Sequence, residues 1–136
     1  MTESYAIAPL TNTDVEAAAK LLIKHDLATG KHLSTRLDRL LACNEAVCFG
    51  AKVDAELVGV LLSISNGFHV FLSHIAVERG WQRKGIGTAL VDAVKSAAKK
   101  RKARGIIVDS RITTAGYFFK RAFRLPGAVF MIHDVE

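Results

Sequence analysis

The chain has 136 residues, half of them hydrophobic, with two prolines and a mean hydropathy of +0.22. This length holds a single hydrophobic core, and the composition excludes disordered, collagen-like and low-complexity classes. The net charge of +6 is uneven, because residues 1–68 carry 6 Lys+Arg against 8 Asp+Glu while residues 69–136 carry 13 against 5, so an anionic ligand is expected on the C-terminal half.

No apolar run approaches the ~18 residues of a membrane span. Met1-Thr2-Glu3-Ser4 lacks the basic and apolar regions of a secretory signal. Cys43 and Cys48 have no Cys-x-x-Cys spacing, and with the five histidines they offer no metal-ligand pattern. The expectation is one cytoplasmic domain over residues 1–136, with reduced thiols, no metal and no membrane association.

In chain order, residues 4–9 read as a short strand. Thr13-Asp14-Val15-Glu16 has the form of a capping box, and Val15, Ala18, Ala19, Leu22 and Ile23 recur behind it at helical spacing. Leu33, Leu37, Leu40 and Leu41 mark a second helix from Ser34 to Cys43. Ala46–Lys52 and Leu57–Ser65 read as strands joined by a turn at Asp54-Ala55-Glu56, and Asn66-Gly67 turns the chain into a third strand, His69–Val77. That strand is apolar on both faces, which suits a central position covered on both sides.

A long amphipathic helix runs from Gly85 to about Arg104, with Ile86, Leu90, Val94 and Ala97 on its buried stripe and Gly105 as its cap. Ile106–Val108 is a short strand, Thr113 or Thr114 starts a helix through Arg121, and Pro126-Gly127 turns into a last strand over Ala128–Asp134. The order βααβββαβαβ predicts one mixed α/β sheet.

The chemistry concentrates in Glu78-Arg79-Gly80-Trp81-Gln82-Arg83-Lys84-Gly85-Ile86-Gly87-Thr88. Here a strand ends, a basic loop succeeds it, and two glycines open a helix. A first helical turn offers unpaired N–H groups and partial positive charge, glycines admit a ligand close to the backbone, and Arg83 and Lys84 add formal charge. The combination predicts a phosphate or pyrophosphate cradle. The Walker A spacing is absent, and Gly-x-Gly-x-x-Gly fails because position 90 is Leu. Trp81 stands either as a wall of the ligand channel or as a buried anchor. The basic run Lys99-Lys100-Arg101-Lys102 sits where cations complement a helix C-terminus and lacks interleaved aromatics, so nucleic-acid binding is not expected.

Gln82-Arg83-Lys84-Gly85-Ile86-Gly87 resembles the Gln/Arg-x-x-Gly-x-Gly/Ala signature of the GNAT family of N-acetyltransferases, supported by the preceding Ile75-Ala76-Val77 strand and the order of elements. The resemblance implies a twisted mixed β-sheet of six to seven strands flanked by about four helices, with acetyl-CoA in a V-shaped gap between the fourth and fifth strands. It implies that Gln82, Arg83, Lys84, Gly85, Ile86, Gly87 and Thr88 hold the pyrophosphate, and that Ile75, Ala76 and Val77 pair with the pantetheine arm. The partners implied are acetyl-CoA and a primary amine of a small molecule or peptide, and a homodimer is compatible. The family's Phe-Tyr-x-x-x-Gly-Phe pattern is altered here: Phe118 holds the usual Tyr position, Tyr117 lies one residue earlier, Ala122 replaces the Gly, and Arg111 replaces an Asn. Tyr117 is the candidate acid, or else an aromatic packed on the sheet. His74, Glu78 and Asp109 are candidate bases, and Ser73 is a hydroxyl able to orient water. A non-catalytic acetyl-CoA sensor is the alternative.

Overall fold

A computed structural model describes residues 4–109, 115–127 and 131–135. Its elements are β1 (Ala6–Pro9), α1 (Val15–Lys24), α2 (Leu33–Ala42), β2 (Phe49–Val53), β3 (Glu56–Ser65), β4 (His69–Val77), α3 (Ile86–Lys100), β5 (Gly105–Val108) and α4 (Ala115–Phe119). The expected α/β order therefore holds through α4. The sheet has five strands among the described residues, in the order β1-β2-β3-β4-β5, and not six to seven. Part of the difference is the last expected strand: residues 131–135 carry no regular structure, and Ala128–Phe130, like Thr113 and Thr114, lie outside the described residues.

All neighbouring strands run antiparallel except β4 and β5, which are parallel and joined through α3. The β2–β3 turn is tighter than expected. Asp54 and Ala55 both take positive φ, the two-residue geometry that matches strand twist, and Glu56 already belongs to β3. At the next turn the Asn66 Oδ1 accepts from the N–H groups of Phe68 and His69, each at 2.9 Å.

Two apolar layers sandwich the sheet. On one face, Val15, Ala18, Leu21 and Leu22 of α1 and Leu33 and Leu37 of α2 pack on Val60, Leu62 and Ala76. On the other, Ile86, Leu90, Val91 and Val94 of α3 pack on Ala51, Leu61, Val70 and Leu72, with Phe118 of α4. Gly59 permits that second contact, since a Cβ there would stand 3.0 Å from Ile86 Cγ2. Cys43 is exposed and Cys48 buried, both unbridged.

Other features differ from expectation. The capping box is Thr11–Asp14, two residues earlier than Thr13–Glu16: the Asp14 carboxylate accepts from the Thr11 N–H at 2.9 Å and closes a 3-10 turn ahead of α1. Both pairs have suitable side chains, and Asp14 prevails because Lys52 of β2 pairs with it at 2.8 Å. At the far end of α3, Lys102 takes the left-handed position (φ 57) and the Ala103 N–H reaches Ala98 O, so Gly105 opens β5 instead of capping the helix. The basic run is also partly committed, with Arg101 bound to Glu45 and Asn44. Finally, β4 is internal as expected, but Phe71 and Ser73 on it are exposed, so its cover is incomplete.

Candidate active site

The site begins with a one-residue irregularity in β4. Leu62 pairs with His74 and Ser63 with Leu72, leaving Ser73 as an extra residue on the β4 side. Such a bulge bends a strand and re-aims the side chains beyond it. Before it, Val70 and Leu72 face α3; after it, Ile75 and Val77 do, while Ala76 faces α1 and α2. The same shift puts His69 and His74 on one face despite their odd separation. Pairing with β5 stops there as well, since β5 contacts His69–Leu72 only. From Ser73 onward β4 and β5 part, and a cleft of about 1160 Å³ lies between them.

The polarity of this gap is set by strand alternation. The Glu78 N–H bonds to Val58 O of β3 at 2.8 Å, so the backbone groups of Val77 and Ile75 point the other way, into the cleft. The Gln82 Nε2 donates to Val77 O at 3.0 Å and ties the loop to the strand end. The Ile75 N–H and C=O and the Val77 N–H face the cleft without a strand partner among the described residues.

The loop then delivers the helix start. Arg83 and Gly85 take positive φ (61° and 86°), and Gly85 occupies the N-cap position of α3. The first bond of the helix runs from the Ala89 N–H to Gly85 O, and no side-chain cap closes the turn among the described residues. The N–H groups of Ile86, Gly87 and Thr88 thus sit at the positive end of a 15-residue helix beside the cleft. Gln82, Arg83, Gly85, Gly87, Thr88 and Trp81 line the cleft, as do Ile75, Ala76 and Val77. The Ile86 side chain is instead buried in the core, and the Lys84 ammonium lies 4.8 Å over the Trp81 ring.

From the opposite wall, α4 and the turn after it contribute Tyr117, Phe118, Lys120 and Arg121. The Tyr117 hydroxyl lies against Gly87, where a Cβ would approach it to 2.4 Å, and it is buried without a hydrogen-bond partner among the described residues. Burial pushes its pKa up; the Arg121 charge opposes this and the Asp92 charge adds to it. Tyr117 therefore stays protonated at neutral pH. The Arg121 guanidinium stacks 3.4 Å over the Tyr117 ring, donates to Thr88 Oγ1 and to Tyr117 O at 2.8 Å each, and keeps its buried Nε without a partner among the described residues. Phe118 is 7% exposed and packs in the α3 core.

The base candidates separate by geometry. His74 lines the cleft, its Nδ1 2.7 Å from Ser73 Oγ. Burial lowers its pKa more than a Leu27 backbone hydrogen bond raises it, so its ring is neutral near pH 7. Glu78 is absent from the lining of the cleft. It pairs with Lys24 of α1, whose hydrogen bond holds the carboxyl below its usual range despite some burial, which weakens it as a proton acceptor. Asp109 is the one carboxylate lining the cleft among the described residues, against Arg83, Lys120 and Arg121. Arg111 lies outside the described residues. No group of three or more His, Cys, Asp or Glu able to hold a metal, and no helix long and apolar enough to cross a membrane, occurs among the described residues.

A family model described as the Acetyltransferase (GNAT) family matches residues 18–123. The chain belongs to this family. Among solved structures, a ribosomal-protein-alanine N-acetyltransferase from Brucella melitensis biovar Abortus 2308 superposes with TM-score 0.76 at 24% identity, covering 96% of this chain and 99% of that one. The aminoglycoside N-acetyltransferase AAC(6')-Iy in complex with CoA gives 0.81 at 18%, covering 99% and 97%, and an acetyltransferase of Trypanosoma brucei gives 0.78 at 13%, covering 96% and 99%. At these identities the likeness is one of fold. No curated protein sequence matches the chain.

Within this GNAT fold the β4 edge beyond the bulge and the α3 start line one cleft. Two cleft residues carry no sequence signal of their place. Arg121 meets Thr88 across 33 positions, and His25, whose Nε2 is buried without a partner among the described residues, enters from the end of α1. Neither sits in a local pattern that marks it.

Proposed function

We propose that this GNAT family member binds acetyl-CoA in the β4–β5 cleft and transfers the acetyl group to a primary amine of a small molecule or peptide. One observation carries this reading: the free edge of β4 after Ser73 and the uncapped, glycine-opened first turn of α3 line the same cleft. The residues suit the group. A ready anion site lies at the helix start, the wall is cationic, and Gly87 carries no side chain to come between the first turn and the Tyr117 hydroxyl that lies against it. AAC(6')-Iy, of similar fold, holds CoA.

When bound, acetyl-CoA supplies the activated acyl group. The N–H groups of Ile86, Gly87 and Thr88, with Arg83 and Arg121, hold the pyrophosphate. Ile75 and Val77 pair with the pantetheine arm, and the Ile75 N–H polarises the thioester carbonyl, an interaction of the kind that contributes about 3 kcal/mol in preorganised sites. His74 accepts the amine proton, and the Tyr117 hydroxyl, which lies against Gly87 at the pyrophosphate end in this structure, must swing along the cleft to supply one to the departing thiolate.

Calorimetric titration with acetyl-CoA tests the cradle. Micromolar binding is expected, with ATP and NAD as weaker controls, and Gly87→Val should weaken it by at least about tenfold, since its side chain must displace Tyr117 and cover the first turn. Unchanged affinity in that variant removes the cradle. Binding without turnover of any amine favours the sensor alternative, consistent with Phe118 at the usual Tyr position.

A further inference from the structure

Beside the main cleft, on the α1–α2 side of the sheet, is a second cavity of about 240 Å³. Its walls are mostly apolar, from Leu22, Leu33, Leu37, Leu40 and Leu62, with Ala28 and Thr29 from the connection between the two helices and Arg36 of α2. Leu27, Ser73 and His74 line both spaces. The bulge that opens the main cleft therefore also stands at the door of an apolar chamber, and the neutral imidazole of His74 marks the threshold.

Resting on the proposed acetyl transfer, we propose that this chamber binds the hydrocarbon part of the acceptor, and that the acceptor is a primary amine carrying a compact aliphatic or aromatic group. Three observations carry the assignment. An amine held at His74 adjoins the chamber, because Leu27, Ser73 and His74 line both cavities. The size suits a hydrocarbon group: an apolar cavity of about 150 Å³ takes a benzene ring, so this one accommodates about six to eight carbons. The charge disfavours a polycation, since Asp109 is the single carboxylate lining either space among the described residues, against Arg83, Lys120 and Arg121 in the cleft. An acceptor with several ammonium groups, as in an aminoglycoside, would meet repulsion.

The test is a series of straight-chain primary amines from ethylamine to decylamine, whose basicity is nearly constant, assayed with saturating acetyl-CoA. The expected kcat/KM rises about threefold to fourfold per methylene up to about six to eight carbons and then levels or falls. Phenethylamine should behave like hexylamine, and a peptide with an N-terminal Leu, if accepted, should exceed the same peptide with an N-terminal Asp. Ala28→Leu, checked for folding by its melting curve, should shift the optimum to shorter chains and leave the KM for acetyl-CoA unchanged. A flat or falling series, or a preference for aminoglycosides, overturns the chamber assignment while leaving acetyl transfer in place. Absence of transfer to every amine, with acetyl-CoA bound, overturns the transferase reading and the chamber assignment together.

Discussion

At the scale of single residues, Tyr117 and His74 carry the proton traffic of the proposed reaction, and their surroundings make separable predictions. Tyr117 keeps its proton because burial raises its pKa, and its hydroxyl has no partner among the described residues. Tyr117→Phe should lower kcat by about a hundredfold, in the range of general-acid effects, with the KM for acetyl-CoA within about twofold. The opposite split, a raised KM with kcat intact, would assign the hydroxyl to the pyrophosphate end beside Gly87. For His74 the sign is set by its depressed pKa. The free base persists below the ordinary histidine value of about 6.5, so wild-type activity relative to His74→Gln should be constant down to that pH and decline only at more acidic values. A ratio independent of pH would leave His74 as a wall of the chamber. Arg121 acts on both sides of this arrangement, bracing the Tyr117 ring and holding Thr88.

At the scale of elements, the start of α1 is fixed to the sheet by one buried carboxylate. Burial alone would raise the Asp14 pKa, but Lys52 and the Thr11 N–H and hydroxyl outweigh it, and the net shift is downward. A depressed folded-state pKa stabilises the protein above the unfolded value of about 3.9 and loses that contribution as pH falls through the folded-state value. Asp14→Asn should therefore cost about 1–2 kcal/mol at neutral pH, a melting shift on the order of 5 °C, and the difference from wild type should shrink below about pH 4. Circular dichroism melts from pH 2.5 to 7 check this; a difference that is the same at every pH would mean that packing, not charge, accounts for it.

At the scale of the whole molecule, what the sequence discloses is what is local. The bounds of β4 are legible because its apolar run is interrupted sharply by Gly67 and Glu78, and the cradle is legible because Gln82 to Gly87 is contiguous. Register is different. Nothing in His69–Val77 marks Ser73 as supernumerary, since that depends on how Leu62 and Ser63 of another strand count against it. Arg121 and His25 are hidden for the same reason, being brought to the cleft from far along the chain by α4 and α1. The capping box is displaced by two residues because Lys52, the partner that favours Asp14, lies 38 positions away. The strand count falls short because the resemblance implies a C-terminal edge that the described residues do not form.

The register step at Ser73 has a consequence for how this strand tolerates change. β4 obeys two reading frames: even-numbered positions face α3 before the step and odd-numbered ones after it. Deleting that one residue would merge the frames into a single alternation, with Ile75 and Val77 still toward α3 and Ala76 still toward α1 and α2, and would let β5 continue zipping along its neighbour. The chain would be shorter by a single serine, and the fold would have exchanged its cavity for a seam.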